Sequence, residues 1–110
     1  MPYDQNLTQR IRSLLEVHPE VIEKKMFGGV GFMLRGNMAC GVQGDDLIVR
    51  VGAENNTSAL RRAYVRPFMV MAGKPMAGWI LVAPKGIATD QDLQSWVEMG
   101  FEYASTLPEK

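Results

Sequence analysis

The most reactive side chains in this sequence are one cysteine, Cys40, and one histidine, His18. A cysteine thiolate beside a histidine base can act as a nucleophile. Cys40 stands two residues from Met38 and two from Val42 in an apolar stretch, where a free cysteine usually serves as a small core residue. We therefore expect Cys40 to be structural and assign no catalytic residue. An enzyme that uses Cys40 is kept as an open alternative.

Aspartates stand close together at two places, Asp45-Asp46 and the pair Asp90 and Asp92. Paired carboxylates can hold a metal ion or exchange protons. The first pair falls in a predicted turn and the second at a predicted helix start, where aspartate is favoured for conformational reasons. A zinc site also needs more ligands than one histidine and one cysteine. We therefore expect neither a metal nor a cofactor.

Glycines at positions 28, 29 and 31 could form a loop that binds phosphate through main-chain N–H groups. The run lacks the GxxxxGK[ST] spacing of a P-loop, and it matches no GxGxxG pattern that opens a helix. Glycine inside a strand instead marks a bulge or a close approach of backbones. We interpret Gly28, Gly29 and Gly31 as structural residues of a bulged strand.

Arg61, Arg62 and Arg66 form a local surplus of basic residues, which Arg50 and Lys74 would join if the fold brings them near. The whole chain carries 12 basic and 12 acidic residues, so its formal net charge is zero. Nucleic-acid binding draws much of its affinity from a basic surplus, so we expect weak binding or none. A docking patch for an acidic partner or for nucleic acid at these arginines is an open alternative.

Length and composition indicate one domain. The 110 residues, 46% apolar and 22% charged, are enough to bury a hydrophobic core. A single cysteine allows no internal disulfide, which fits a reducing cytoplasm. The first residues lack the segments of a signal peptide, and no apolar run is long enough to span a bilayer. We expect a single cytoplasmic domain over residues 1–110 that does not bind membranes.

Three helices are predicted from the spacing of apolar residues. The first covers residues 6–18, with Asn6 as its N-cap. The second covers residues 55–64. The third begins after the N-cap Thr89 and ends before Pro108, where proline stops a helix.

Five strands are predicted, because short apolar runs alternate with turn residues. Residues 20–25 are interpreted as a connector, with one further turn of helix as the alternative. Two strands flank a turn at 35–37, and Met38, Cys40 and Val42 are expected on one face of the second. The remaining strands cover residues 47–51, 68–71 and 76–83, and the turn before the last of them includes Gly73, Lys74 and Pro75.

The resulting order is α-β-β-β-α-β-β-α. Short connections favour a mostly antiparallel five-stranded sheet with the helices on one face, which is a two-layer α+β sandwich. Trp96 lies on the apolar stripe of the last helix, and we expect it to be buried against the sheet. Gly100 lies near the same stripe, so we expect the helix to pack closely there.

The sheet face away from the helices, called the second face from here on, is predicted to be partly apolar. On this assignment it carries some of Met33, Ile48, Met69 and Met71. An antiparallel sheet covered on one side should be polar on the other, whereas methionine-rich surfaces often bind partners. We therefore predict a homodimer, with Met33, Met69 and Met71 as candidate interaction residues. Filling of the core is the alternative.

Four runs together resemble the TfoX N-terminal domain family: MFGGVGFMLRGNMACGV at 26–42, DDLIVRVG at 45–52, PFMVMAGKPMAGWILV at 67–82 and DLQSWVEMGFEYASTLP at 92–108. The resemblance implies a two-layer α+β fold similar to the secretion-chaperone-like class. Full-length TfoX/Sxy-like proteins regulate competence genes in bacteria and carry a second, helical C-terminal domain. Because this sequence ends at Lys110, we expect a stand-alone N-terminal domain.

The resemblance brings no catalytic residues with it. It implies a small regulatory or protein-interaction module with a protein partner in transcription regulation. A nucleic-acid-associated coregulator that uses the arginine surplus is the alternative.

Overall fold

The computed structural model describes residues 4–16, 18–26, 28–70 and 74–109. The elements run in the order α1 (Gln5–Leu14), β1 (Val21–Met26), β2 (Gly29–Leu34), β3 (Asn37–Gln43), β4 (Asp46–Arg50), α2 (Asn56–Leu60), β5 (Val65–Val70), β6 (Lys74–Val82) and α3 (Asp90–Ser105). Short 3-10 turns at Ala53–Asn55 and Pro84–Ile87 precede α2 and α3. The strands form one sheet in the order β1-β2-β3-β4-β6-β5, and every neighbouring pair is antiparallel.

The predicted α+β class is confirmed, but the sheet has six strands where the sequence predicted five. The additional strand is β1, in a segment interpreted as a connector. It pairs along its whole length with β2, from Val21 opposite Leu34 to Met26 opposite Gly29. The other strands fall within a few residues of their predicted bounds.

The first two helices are shorter than predicted, and the third begins where predicted. Helix α1 is capped by Asp4 rather than Asn6, because the Asp4 carboxylate accepts hydrogen bonds from two main-chain N–H groups of the first turn. The helix ends at Leu14, four residues before its predicted end. Tyr64, the last residue of the predicted second helix, has a φ of +67° that leads the chain into β5. The predicted cap of α3 is confirmed, since the Thr89 hydroxyl accepts from the main-chain N–H of Asp92 at 3.1 Å.

The main hydrophobic core lies between the three helices and one face of the sheet. Trp96 is 2% exposed, which confirms its predicted burial. The other buried residues of this core come from all three helices and from the strands between them: Leu7, Ile11, Val30, Phe32, Cys40, Val42, Leu47, Val49, Val51, Ala59, Ile80, Val82, Ile87, Leu93 and Val97. The helices therefore cover one face of the sheet, as the sequence predicted.

A bulge between β2 and β3 places Met38 on the second face. Phe32 lies opposite Cys40 while the next residue, Met33, lies opposite Met38, so Ala39 is an extra residue in β3. The prediction that Met38 shares a face with Cys40 was wrong for this reason. Met38 instead packs in a smaller buried cluster on the second face with Ile48, Phe68 and Leu81.

Candidate functional site

Cys40 is buried in the main core and has the environment of a core residue. Its side chain is 0% exposed, and desolvation raises the pKa of the thiol far above its ordinary value. A thiol kept protonated is a poor nucleophile. His18 lies at the surface, where its Nδ1 is 3.3 Å from a carboxylate oxygen of Glu20 and its ring stacks on Phe101.

Asp45 lies in the predicted turn and Asp90 at the predicted helix start, whereas Asp46, predicted in the turn, lies in the strand that follows it. Asp46 begins β4 and forms an ion pair with Arg66. Asp90 opens α3, and its carboxylate lies 3.3 Å from the guanidinium of Arg10. Within residues 4–109, apart from the stretches left undescribed, no three histidine, cysteine, aspartate or glutamate side chains are grouped to hold a metal ion.

The glycine run lies in the β1–β2 hairpin, where backbone geometry explains it. Gly28 turns the chain with a φ of +72°, a conformation that residues with a Cβ rarely adopt. A Cβ on Gly29 would lie 2.0 Å from the carbonyl oxygen of Val42, so β2 and β3 approach closely there. Gly31 lies opposite Gly41 between the same two strands.

The second predicted structural motif, Gly73-Lys74-Pro75, is described only in part. Gly73 lies outside the described residues. Lys74 begins β6 opposite Val70, and Pro75 lies opposite Met69. Lys74 and Pro75 were predicted to lie in a turn but belong to β6, which begins two residues before its predicted start.

The three arginines of the basic surplus make different contacts. Arg66 on β5 pairs with Asp46, which offsets its charge. The guanidinium of Arg62 lies 3.9 Å from the centre of the Trp96 ring, in a cation–π contact. Arg61, the C-cap of α2, is exposed. Two of the three arginines are thus engaged within the chain.

The apolar residues predicted on the second face differ in exposure. Met33 is half-buried against the smaller cluster, and Ile48 is 1% exposed, so Ile48 belongs to the core of the single chain. Met69 lies on β5, and Met71 falls outside the described residues. The most exposed large apolar side chain among the described residues is Ile22 on β1, at 65%, and it lies directly opposite Met33.

An open groove of about 660 Å³ runs between α2 and α3. Its apolar lining comes from Ala59, Met99 and Tyr103, and its charged lining from Arg62, Glu98 and Glu102. Hydroxyl and amide side chains complete it: Asn55, Ser58, Ser95 and Thr106. We call these ten residues the α2–α3 groove.

Each charged side chain of the α2–α3 groove is positioned by the helix that carries it. Glu98 and Glu102 stand one turn apart on α3, and the amide of Gln94 donates to Glu98 at 3.3 Å. Arg62 follows α2 and lies over Trp96. Charges of opposite sign therefore border an apolar floor.

An arginine outside the groove lies against its floor. The guanidinium of Arg50 is 5.6 Å from the centre of the Tyr103 ring and 5.0 Å from that of Trp79. The two rings hold a cation beside the floor of the groove, to which Tyr103 belongs, and Arg50 is only partly buried. Arg50 was to join the arginine surplus only if the fold brought it near, and the contacts of its guanidinium are with these aromatic rings.

The sequence did not predict the α2–α3 groove as a site. Arg62 was predicted as part of a local surplus of basic residues, and Glu98 was not singled out. A usable signal was the spacing of Glu98 and Glu102 four residues apart, because such residues lie on one helix face. The position of α2 beside that face could not be read from the spacing.

Comparison of the sequence with known proteins gives a family match. In the part of the chain that the structure describes, no helix has the length and apolar character needed to cross a membrane. No curated protein matches the sequence. The family model described as the TfoX N-terminal domain matches residues 13–104, which span β1 to β6 and nearly all of α3. The chain therefore belongs to the TfoX N-terminal domain family.

Proposed function

We propose that this domain is a protein-interaction module of a regulatory kind and that the α2–α3 groove receives the partner. The observation that carries the proposal is an open groove whose apolar floor is bordered by Glu98, Glu102 and Arg62. Binding sites commonly combine an apolar surface with a few polar groups that fix orientation. Membership of the family supports the regulatory role, because related full-length proteins act on competence genes.

The charges of the groove indicate the chemistry of the partner. Glu98 and Glu102 are exposed, and neither forms an ion pair among the described residues. Arg62 is held over Trp96, so the acidic pair is the part of the rim that is free to attract an opposite charge. A protein segment with an apolar side chain next to lysine or arginine matches this arrangement. The apolar side chain would cover Met99, and the cation would lie against the two carboxylates.

A displayed library of random peptides tests this proposal even though the natural partner is not identified. We expect selected peptides to be rich in lysine or arginine beside leucine, methionine or phenylalanine. Their affinity should fall at least about tenfold for Glu98→Lys/Glu102→Lys, because attraction becomes repulsion at both positions. The matched control is Glu16→Lys/Glu109→Lys, which makes the same charge change at two exposed glutamates outside the groove.

Calorimetry and NMR shift mapping give the two readouts. Binding should perturb amide signals of α2 and α3 and should be unchanged in the control variant. Peptides that bind the two double variants equally, or that shift signals elsewhere, would show that the groove is not the site. Tight DNA binding at physiological salt would instead favour the nucleic-acid alternative, for which we predict at most weak and salt-sensitive binding.

A further inference from the structure

Among the described residues, none pairs through its main chain with the outer edge of strand β1. It is the first strand in the spatial order, and β2 pairs with only one side of it. Besides the β2 ladder, no main-chain hydrogen bond involves residues 22–25 in the described part of the chain. All four of these residues are exposed. An edge of this kind is a template for pairing with another strand.

The opposite edge of the sheet is less suited to pairing. It is formed by β5, which contains Pro67. Proline has no N–H group to donate, so it interrupts a ladder and is typical of blunted edges. Strand β1 contains no proline, and every residue in it has a main-chain donor.

We propose that β1 pairs antiparallel with β1 of a second copy, so that the two sheets join into one of twelve strands, six from each copy. The charge pattern of the strand supports this occupant. In the proposed register, Lys24 lies opposite Lys24 of the second copy. Glu23 then lies opposite Lys25 of the second copy, and by the two-fold symmetry Lys25 lies opposite Glu23 of the second copy. Residues opposite each other in an antiparallel pair share a face, so both pairs bring opposite charges together.

The positions of these side chains on the sheet agree with this register. Glu23 lies opposite Phe32 and Lys25 opposite Val30, so both stand on the helix face. Glu23 is already held there by Arg12, whose two nitrogens each donate to a carboxylate oxygen at 2.7 Å. A lysine from the second copy would add to that cationic environment.

The second faces of the two copies would lie side by side across this interface. Ile22, beside Met33, would lie near the two-fold axis and lose the exposure it has in the single chain. Lys24 faces Lys24 of the second copy at the axis, and this contact between like charges is the unfavourable one in this register. The long side chain of each lysine can extend toward solvent. The interface does not include the α2–α3 groove, so failure of this proposal would leave the peptide-binding proposal intact.

A charge-swap experiment tests both the dimer and its register. Sedimentation equilibrium of the wild-type chain, up to millimolar concentration, should show a species of twice the monomer mass of 12.2 kDa. Lys25→Glu places glutamate opposite Glu23 of the second copy, and Glu23→Lys places lysine opposite Lys25. Each variant alone should dimerise at least about tenfold more weakly, because two attractive pairs become repulsive. An equimolar mixture should recover the dimer, since both cross-strand pairs are again of opposite sign.

Two controls keep the result interpretable. Lys85→Glu makes the same charge change at an exposed lysine outside the sheet and should leave the dimer unchanged. Glu23→Lys also loses the contact with Arg12, so circular dichroism is used to check that this variant folds. If Glu23→Lys does not fold, Lys25→Glu alone tests the interface. A wild-type chain that stays monomeric would overturn the proposal and show that the lysines keep the edge free. A dimer insensitive to Lys25→Glu, or a mixture that does not recover it, would overturn the register.

Discussion

Replacement of Gly100 by alanine tests how closely α3 packs on the sheet. Gly100 is buried in the middle of α3. A Cβ at this position would lie 2.3 Å from the carbonyl oxygen of Ala39 and 3.1 Å from its carbonyl carbon. The contact is with backbone of β3 rather than with the end of a flexible side chain. Relief therefore requires the helix and the strand to separate.

Two opposing effects set the size of the change. Alanine is favoured over glycine in a helix interior by about 1 kcal/mol. An ordinary contact between carbon and oxygen is about 3.3 Å, so the helix must retreat by roughly 1 Å. A gap of that size removes a quarter to a half of the attractive energy of each dispersion contact. Overpacking of a core costs up to about 3 kcal/mol of stability. The clash outweighs the helix preference, and we expect a net loss of roughly 2 kcal/mol.

Urea denaturation followed by tryptophan fluorescence measures this difference. The expected loss corresponds to a fall in melting temperature of roughly 10 °C for a domain of this size. Ser95→Ala, at an exposed position of the same helix, is the matched control and should change stability by less than about 0.5 kcal/mol. A Gly100→Ala chain as stable as the wild type, or more stable, would refute the close packing of α3 against Ala39.

Three further predictions concern the core, the thiol of Cys40 and the change in stability at acid pH. Trp96→Ala should cost about 3–5 kcal/mol in urea denaturation, as large truncations in a core do; a loss below about 1 kcal/mol would contradict its burial. Cys40 should resist alkylation in the native chain at mildly alkaline pH and react fully in urea, because burial raises the pKa of its thiol; rapid native labelling would contradict this. The hydrogen bond from Arg12 lowers the pKa of Glu23 below its ordinary 4.5. The pair therefore stabilises the fold above pH 4.5, and this stabilisation is lost as the pH falls through the lowered pKa. Glu23→Gln should therefore lose less stability on acidification than the wild type in pH-dependent melts, and equal losses would contradict the linkage.

The fold class and the last helix could be predicted from the sequence because their signals are local. The apolar stripe that includes Trp96 repeats with helical period, and Thr89 has the spacing of an N-cap. These two signals were enough to predict the start and the buried side of α3. The same reasoning placed the helices on one face of the sheet.

Strand β1 was missed because an edge strand needs little hydrophobic periodicity. Its sequence, VIEKKM, is mostly charged after the first two residues, and its main-chain hydrogen bonds to β2 hold it in place. The face of Met38 was missed for a different reason. A bulge shifts the alternation by one residue, and nothing in the local pattern of β3 marks Ala39 as the extra residue.

The α2–α3 groove depends on the relative placement of two helices distant in sequence, which spacing does not reveal. The contact of Arg62 with Trp96 joins residues 34 positions apart along the chain (96 minus 62). The sequence identified the arginine as a basic surface residue. Only the fold shows that an aromatic ring holds it beside the acidic side of α3.

The strand order has a consequence for how the chain folds. Strands β1, β2 and β3 each pair with the next strand in sequence, so residues 21–50, which contain β1 to β4, form a meander that requires only short loops to close. β6 must then reach β4 across an intervening segment, and β5 attaches to the sheet only through β6. Helix α1 depends on still more distant contacts, since Arg10 donates to the carbonyl of Ile87, 77 positions away. Because closure of long loops slows folding, we expect the meander to form first and α1 to dock late. If local unfolding follows the reverse of this folding order, α1 is the first element whose amide protons exchange with solvent.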